Sequence, residues 1–312
     1  MNKRNIFLIF CAGFLSAIAV AVLYAFAQKE EPNDTPGTQG AYVCQKVTAV
    51  NGVDANRKID FAGEDVPLDL YDVRERLDRE LLVNAYWHSN TIMTIKLANK
   101  YFPEIEPILA ANNIPDDFKY LCVAESGLRN QVSPSNAVGF WQMLKETAIL
   151  YGCEVNEEID QRYSVPLSTQ AACKYLKEAN GKFGNWTMAA ASYNMGMGGL
   201  AQQVKMQGQT NYYDLYLNEE TSRYLFRILA WKEIITNQQL YGFYLEENDL
   251  YEPVPYTTVK LDSSVTNLAN YSKQLGTNYK NLKLLNPWMR KTTLTVAKGK
   301  NYEVRIPRSS QN

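Results

Sequence analysis

The chain has 312 residues, 46% of them hydrophobic, so it can bury a substantial core and form two domains, or one large domain with appendages. Its 32 basic and 33 acidic residues nearly cancel and no basic patch stands out, which argues against nucleic acid as the main partner. We expect a partner to be bound through hydrogen bonds and stacking, for which the 21 Tyr and 5 Trp residues provide groups.

The N-terminus has the pattern of an export signal. Lys3 and Arg4 precede an apolar run without charge over residues 6–27. The Ala-Phe-Ala sequence at 25–27 favours cleavage of a signal peptide, whereas the length of the run also suits a retained membrane anchor. We assign residues 1–27 to a signal peptide or membrane anchor and expect the rest of the chain to be exported, with membrane association through the N-terminus if the anchor is retained.

Helices are predicted after a linker. Residues 28–68 begin with many Pro, Gly, Thr, Gln and Asn residues and are assigned to a flexible linker. The charge-dense segment 69–84 has apolar residues at helical spacing and is predicted to pack on the main domain as an amphipathic helix. Helix is predicted to continue over 81–101, to break at Pro103 and to resume over 104–112.

The strongest candidate for chemistry lies within residues 114–143. Pro115 followed by two acids predicts a helix start, and Gly127 predicts its end. The apolar face of this helix lies at i, i+3 and i+4, at Phe118, Leu121 and Cys122. Glu125 is the i+7 position of that face, where the pattern favours an apolar residue. Burial there disfavours the charged carboxylate and raises its pKa, which predicts an acid able to donate a proton near neutral pH.

Further helices follow this stretch. They are predicted over 143–151, from Pro166 onward, over 186–194 with Asn185 as the cap, and over 219–237. Little of the region alternates with a period of two, so the fold is predicted to be predominantly α.

The composition changes again at 251–255, where two prolines mark a linker. Beyond it the sequence predicts a strand from Tyr256, helices over 265–275 and 279–285, and a strand over 302–306. This β-α-α-β order predicts a small α/β domain.

Three motifs resemble those of one enzyme family. The sequences AESGLRN around Glu125, AVGFWQM ending at Met143 and AAASYNMG around Tyr193 occur in that order, and they resemble the lytic transglycosylases of the lysozyme-like superfamily, in particular the membrane-bound murein transglycosylase D type. The resemblance implies a lysozyme-like helical catalytic domain, assigned to residues 69–250. The remainder, residues 251–312, resembles the LysM carbohydrate-binding module.

The LysM resemblance is the looser of the two. Where that family has Gly-Asp-Thr after the first strand, this chain has Leu-Asp-Ser at 261–263, and the segment 291–300 is longer than usual. We therefore expect residues 251–312 to form the small α/β fold. Whether this module binds glycan or only packs on the main domain is left open by the sequence.

The resemblance implies a reaction. The chain would cleave the MurNAc-β-1,4-GlcNAc bond of peptidoglycan glycan strands in the periplasm without consuming water, leaving 1,6-anhydroMurNAc ends. Glu125 would be general acid and then general base, assisted by the N-acetyl group of the substrate. The implied substrate-binding residues are Ser126, Gln142, Tyr193, Asn194 and Tyr224.

Each of these residues also has a structural interpretation. Gln142 and Asn194 would bond sugar amides and hydroxyls, or cap helix ends. Tyr193 and Tyr224 would position the acetamido group or the acid, or fill the core. Ser126 would orient the acid or the adjoining backbone, and the tryptophan of the AVGFWQM motif would pack under the cleft or stack on a sugar.

No second carboxylate is marked for catalysis, because four further acids lie in polar sequence and are expected to be solvated: Glu146, Glu157, Glu158 and Asp160. No metal or cofactor is predicted either. The chain has one His, scattered cysteines and no H-E-x-x-H, phosphate-loop or dinucleotide signature. No disulfide pair is predicted; Cys122 and Cys173 are expected to be buried free thiols.

Three rival functions are left open by the sequence. The first is a hydrolytic muramidase of the same fold, and the second is a non-catalytic peptidoglycan-binding protein. The third is a peptidase using Cys122 and His88, but a thiol on a buried apolar face has a raised pKa and is a poor nucleophile. His88, beside Tyr86 and Trp87, is expected to be a packed aromatic neighbour.

Overall fold

A computed structural model describes residues 52–308 of the chain. The predicted signal peptide or anchor at 1–27, the first part of the linker, Cys11 and Cys44 lie outside this range. Over the described range, no helix combines the length and apolar character needed to cross a membrane.

The described chain begins with a small hairpin. Strands β1 (Asp60–Phe61) and β2 (Glu64–Asp65) pair antiparallel, and Phe61 is fully buried. The apolar residues around the hairpin are also in the core, namely Ile59, Val66 and Leu68. The assignment of residues 28–68 to a flexible linker is therefore wrong for its last ten residues or so, since apolar side chains at these positions anchor the segment.

The first two helices are α1 (Tyr71–Tyr86) and α2 (His88–Ala111). The amphipathic helix predicted at 69–84 is confirmed, because the apolar face of α1 is buried against the main domain through Val73, Leu77 and Leu81.

The predicted break at Pro103 is wrong, because α2 runs through both Pro103 and Pro107. A proline inside a helix costs about 3 kcal/mol. Three side chains on this part of α2 are buried in the core, Phe102, Ile105 and Leu109, and each contributes about 1.5–3 kcal/mol. The two prolines together cost about 6 kcal/mol and the three side chains contribute about 4.5–9 kcal/mol, so tertiary packing offsets the local helix-breaking signal.

The rest of the described main domain contains six further helices. They are α3 (Phe118–Ser126), α4 (Lys145–Leu150), α5 (Val165–Phe183), α6 (Trp186–Met195), α7 (Met197–Gln207) and α8 (Glu219–Thr236). Helix α3 packs against α2 and α8, and α6 packs against α5 and α8. Short 3-10 turns occupy Gln161–Tyr163, Tyr212–Asp214, Gln238–Tyr241 and Glu247–Asp249. The predominantly helical fold and the Asn185 cap of α6 are confirmed.

The C-terminal module has the predicted β-α-α-β order. Its elements are β3 (Tyr256–Leu261), α9 (Leu268–Gln274), α10 (Tyr279–Leu285) and β4 (Tyr302–Pro307). The two strands pair antiparallel with Val259 opposite Val304. The residue assignments 69–250 and 251–312 stay predictions.

Candidate active site

Helix α3 carries the candidate acid at its C-terminal end. Glu125 precedes Ser126, the last helical residue, and Gly127 ends the helix in the left-handed conformation with φ of 58°. The Gly127 N–H donates to the Val123 carbonyl at 2.8 Å. A glycine is favoured here because an added Cβ is strained at positive φ.

The start of α3 differs from the prediction. The helix begins at Phe118 instead of Pro115, and the carboxylate of Asp117 does not cap it. That carboxylate accepts hydrogen bonds from the Ala62 N–H at 2.6 Å and from Lys232 at 2.8 Å. Asp117 therefore ties α3 to the hairpin and to α8 through contacts that no local pattern reveals.

The environment of Glu125 raises the pKa of its carboxyl group. Glu125 is half-buried, and loss of hydration raises its pKa from 4.5 to about 7. A hydrogen bond from Tyr224 and the charge of Arg227 oppose this change, and the charge of Glu220 adds to it. At neutral pH the group is therefore divided between acid and carboxylate. The pKa is raised as predicted, but the predicted one-sided apolar face is wrong, because every residue of α3 except Glu125 is buried.

Tyr224 is the closest polar partner of the acid. It lies on α8, is 1% exposed, and its hydroxyl donates a hydrogen bond to Oε1 of Glu125. Burial and the neighbouring Glu125 charge raise the pKa of Tyr224 well above its usual value. The phenol thus keeps its proton and acts as a donor to the carboxylate.

Two further residues of α8 complete this side of the site and were missed by sequence reasoning. Glu220 and Arg227 share one face of α8 with Tyr224, at i, i+4 and i+7. Arg227 donates to the Ala124 carbonyl at 2.8 Å, next to the acid. A cavity of about 340 Å³ is lined by Glu219, Glu220, Arg223 and Arg227. The helical spacing relative to Tyr224 is the signal that could have identified them.

Helix α6 brings Tyr193 and Asn194 to the same region. Tyr193 donates to the Trp141 carbonyl at 2.8 Å; burial, and then the charge of Glu125, raise the pKa of Tyr193 well above its usual value. The Asn194 amide nitrogen donates to Glu220 at 3.1 Å, and its oxygen accepts from Thr221 at 2.7 Å. Asn194 therefore joins α6 to the face of α8 that carries Tyr224.

The segment of residues 131–143, here named the Trp-Gln loop, lies against α3 and α6. Trp141 is fully buried and its indole N–H donates to Thr169 at 2.8 Å, so of the two interpretations of this residue, packing under the cleft is the observed one. The Gln142 amide nitrogen donates to the carbonyls of Gly139 at 2.7 Å and Gln131 at 3.1 Å. These bonds close the loop on itself.

Ser126 faces the protein interior. It is 3% exposed, and its hydroxyl donates to the Cys122 carbonyl one turn earlier at 3.2 Å. Its own carbonyl accepts from the Gln131 side chain at 3.2 Å. Ser126 thus contacts backbone at the point where α3 meets the Trp-Gln loop.

The four acids that the sequence predicted to be solvated are not all exposed. Glu146 and Glu157 are exposed as predicted, but that prediction is wrong for Asp160, which is 7% exposed and paired with Arg162. Glu158 is bonded to residues of the C-terminal module. The partner of Asp160 is two residues away, and the partners of Glu158 are far away in sequence. The polar composition around these acids therefore did not distinguish them from solvated acids.

The remaining candidate groups have packing roles. His88 stacks on Phe243 with ring centroids 4.9 Å apart, which confirms the predicted aromatic packing. Cys122 and Cys173 are buried free thiols, as expected, and burial raises the pKa of Cys122 well above its usual value. A raised pKa argues against a thiolate nucleophile. Within residues 52–308, no group of three or more His, Cys, Asp or Glu could hold a metal ion.

Two family models match this chain. Residues 104–216, which include α3 and α6, match the transglycosylase SLT domain. Residues 257–310 match the LysM-like domain found at the C-terminus of soluble lytic transglycosylases. The chain therefore carries an SLT transglycosylase domain followed by a LysM-like domain, in agreement with the two resemblances in its motifs.

The chain is also similar to curated proteins. It is 28% identical over 257 residues to the membrane-bound lytic murein transglycosylase D of Escherichia coli strain K12, an alignment that covers 80% of this chain and 55% of that protein. The protein of the same name from Escherichia coli O6:H1 gives the same values. The chain thus spans about half the length of the curated relatives that it matches.

Proposed function

We propose that this protein is a peptidoglycan lytic transglycosylase that cleaves the MurNAc-β-1,4-GlcNAc bond without water and leaves 1,6-anhydroMurNAc ends. The observation that carries the proposal is a single half-buried acid, Glu125, with a pKa of about 7 and a hydrogen bond from Tyr224. The SLT domain match and the similarity to murein transglycosylases support it.

In the first step Glu125 acts as the general acid. Its protonated carboxyl donates a proton to the glycosidic oxygen as the bond from that oxygen to C1 of the muramoyl residue breaks. The oxygen of the substrate's N-acetyl group stabilises the positive charge that develops at C1. Tyr224 remains hydrogen-bonded to the carboxylate that forms and stabilises it.

In the second step the same carboxylate acts as the general base. It takes the proton of the muramoyl 6-hydroxyl while the oxygen of that hydroxyl bonds to C1 and closes the anhydro ring. Glu125 is protonated again, so the cycle is balanced without water and without a metal or cofactor. A group with a pKa near neutrality is suited to both steps, because it is neither a weak acid nor a weak base at the working pH.

The other predicted substrate-binding residues have distinct proposed roles. Tyr193 and Asn194 would form one wall of the cleft from α6, and Gln142 would form another from the Trp-Gln loop. Their amide and hydroxyl groups suit the hydroxyl and acetamido groups of a glycan. We propose that Ser126 positions the backbone next to the acid, because its hydroxyl is directed to the Cys122 carbonyl.

Digestion of purified peptidoglycan sacculi tests the reaction. We expect mass analysis of the released fragments to give 1,6-anhydromuramoyl ends, and Glu125→Gln to abolish their release. Glu146→Gln makes the same change on the exposed first turn of α4 and should cleave as the native protein does. Reducing ends would instead indicate a muramidase, and binding without release would indicate a non-catalytic protein.

We also propose that the protein is exported and acts in the periplasm, where its glycan substrate lies, with membrane association through residues 1–27 if these are retained. The similarity to a protein named as membrane-bound supports this location. Fractionation of cells followed by N-terminal sequencing of the mature protein tests it. A mature N-terminus beyond residue 27 in the soluble fraction would favour cleavage, and an intact N-terminus in the membrane fraction would favour an anchor.

A further inference from the structure

One residue of the helical domain packs in the hydrophobic core of the C-terminal module. Ile159, from the segment between α4 and α5, is 1% exposed and packs in one cluster with residues of the module, among them Trp288 and Met289. Its backbone pairs antiparallel with Met289, and the Asp160 N–H donates to the Trp288 carbonyl at 2.8 Å. The segment of residues 154–163, here named the docking segment, is thereby joined to the module by both apolar packing and backbone hydrogen bonds.

Two acids of the docking segment add side-chain bonds to the module. Glu158 accepts hydrogen bonds from the Thr293 hydroxyl and from the Thr295 N–H, the latter at 2.8 Å. The bond from Thr293 contributes most to lowering the pKa of Glu158 below its usual value. Glu154 accepts from the Tyr302 hydroxyl at 3.0 Å. These contacts fix the segment to the part of the module that follows α10.

The docking segment is joined in turn to the Trp-Gln loop. Arg162 forms a two-point ion pair with Asp160, with Nε and Nη2 donating at 3.0 and 2.8 Å, and both residues are 7% exposed. The Nη1 atom of Arg162 donates to the carbonyls of Asn136 and Met143, each at 3.2 Å. A Cβ at Gly139 would lie 2.0 Å from the Arg162 carbonyl oxygen. The side chain of Arg162 thus holds the loop near its middle and at its C-terminal end, and its backbone carbonyl lies against Gly139.

The Trp-Gln loop contacts the helices that carry the site. The Phe140 carbonyl accepts from the Cys122 thiol of α3, and the Trp141 carbonyl accepts from Tyr193 of α6. A displacement of the loop would therefore move groups that contact both helices. Because a misplacement of about 1 Å can lower a catalysed rate about a hundredfold, the position of the loop bears directly on cleavage.

We propose that Asp160 and Arg162 are positioning residues for the candidate active site, and that the C-terminal module acts on cleavage by holding them through the docking segment. A buried ion pair contributes little net stability relative to apolar residues of the same volume. The four hydrogen bonds that the Arg162 side chain donates to Asp160 and to the carbonyls of Asn136 and Met143 fit a role in fixing geometry. The module is, in this proposal, a fixed part of the catalytic domain.

Hydrogen exchange on the full-length protein, without substrate, tests the connection. Glu158→Ala removes the bonds to Thr293 and Thr295 at a distance from the acid, and Glu157→Ala is the matched control because Glu157 is exposed. We expect peptides covering residues 131–143 to exchange at least about threefold faster in Glu158→Ala and at the native rate in Glu157→Ala. Unchanged exchange over 131–143 in Glu158→Ala would overturn the proposal, whether or not residues 288–295 exchange faster.

The positioning role has a second test. Arg162→Lys keeps the charge but loses the planar fork that reaches Asp160 and both loop carbonyls. We expect kcat on sacculi to fall about tenfold, with the pH profile of kcat unchanged because the acid itself is unaltered. Full kcat in this variant would refute a positioning role, and a displaced pH profile would indicate an electrostatic one. The catalytic part of the proposal rests on the proposed function, whereas the exchange result stands even if the protein releases no anhydromuramoyl fragments.

Discussion

Replacing Glu125 with Gln should stabilise the fold more at alkaline than at acidic pH. The pKa of this carboxyl is about 7 in the folded protein, whereas an unfolded glutamate has a pKa of about 4.3. A folded pKa above the unfolded one adds stability that is fully present below the unfolded pKa and is lost as the pH rises through the folded pKa. The native protein therefore loses this contribution between about pH 4 and pH 7.

The size of the effect follows from the pKa difference. Each pKa unit corresponds to about 1.4 kcal/mol, so the difference between the folded and unfolded pKa values corresponds to a total of about 3.7 kcal/mol. Between pH 5 and pH 8 the native protein should lose about 2.5 kcal/mol of unfolding free energy through this one group. Glutamine does not titrate and resembles the protonated acid in shape, so the Glu125→Gln variant should not lose this unfolding free energy.

Urea unfolding of both proteins at pH 5 and pH 8 measures the difference. Other titrating groups are common to the two proteins and cancel in the comparison. Glu146→Gln is the control for an amide replacing a carboxylate, and its difference from the native protein should change by less than about 0.5 kcal/mol between the two pH values. A difference for Glu125→Gln that is the same at both pH values would mean that the acid titrates as it does in open solvent.

Three further predictions concern the surroundings of the acid. Tyr224→Phe removes a hydrogen bond that lowers the pKa of Glu125, so the alkaline limb of the kcat/KM profile should move up by about one pH unit. The control Tyr216→Phe, on the exposed surface, should leave this limb in place. A downward shift in Tyr224→Phe would contradict the assigned hydrogen-bond donor. Glu220→Gln removes a charge that raises the same pKa, so this limb should move down by a few tenths of a unit, and an upward move would contradict the sign. Gly139 has a φ of 85°, and Gly139→Ala places a Cβ 2.0 Å from a backbone carbonyl oxygen, so this variant should lose more than about 2 kcal/mol of unfolding free energy. Gly198→Ala is the control, because a Cβ at this position meets nothing within 4 Å. Equal stability of the two variants would exclude strain at Gly139.

Local patterns predicted those parts of the fold and site that depend on neighbours in the sequence. The end of α3 at Gly127 and the Asn185 cap are each set within about two helical turns, and each is observed. The raised pKa of Glu125 was predicted from burial, and loss of hydration is its largest cause, although α3 is buried on all sides and not on one face. Its partner on α8 was reached only through a resemblance to a family, because the residues are 99 positions apart in sequence.

The errors share one physical cause, which is tertiary contact at long sequence separation. Pro103 lies inside a helix because neighbouring side chains of α2 are buried. Helix α3 begins at Phe118 and not at Pro115, and Asp117 binds the hairpin and α8. Asp160 is buried because the C-terminal module covers its segment. In each case a local sequence pattern predicts one arrangement, and packing between residues that are far apart in sequence produces another.

The balance of charges around Glu125 explains how one carboxyl could serve two opposite steps. Burial alone would raise its pKa further and leave fewer carboxylates at neutral pH to act as a base. Tyr224 and Arg227 stabilise the ionised form, and Glu220 and burial stabilise the neutral form, so that the pKa is about 7. Three of these influences come from one face of α8, at i, i+4 and i+7. Burial has the largest influence on the pKa, and the position of α8 against α3 adjusts it. A change that separates the two helices should therefore move the pH profile as well as lower the rate.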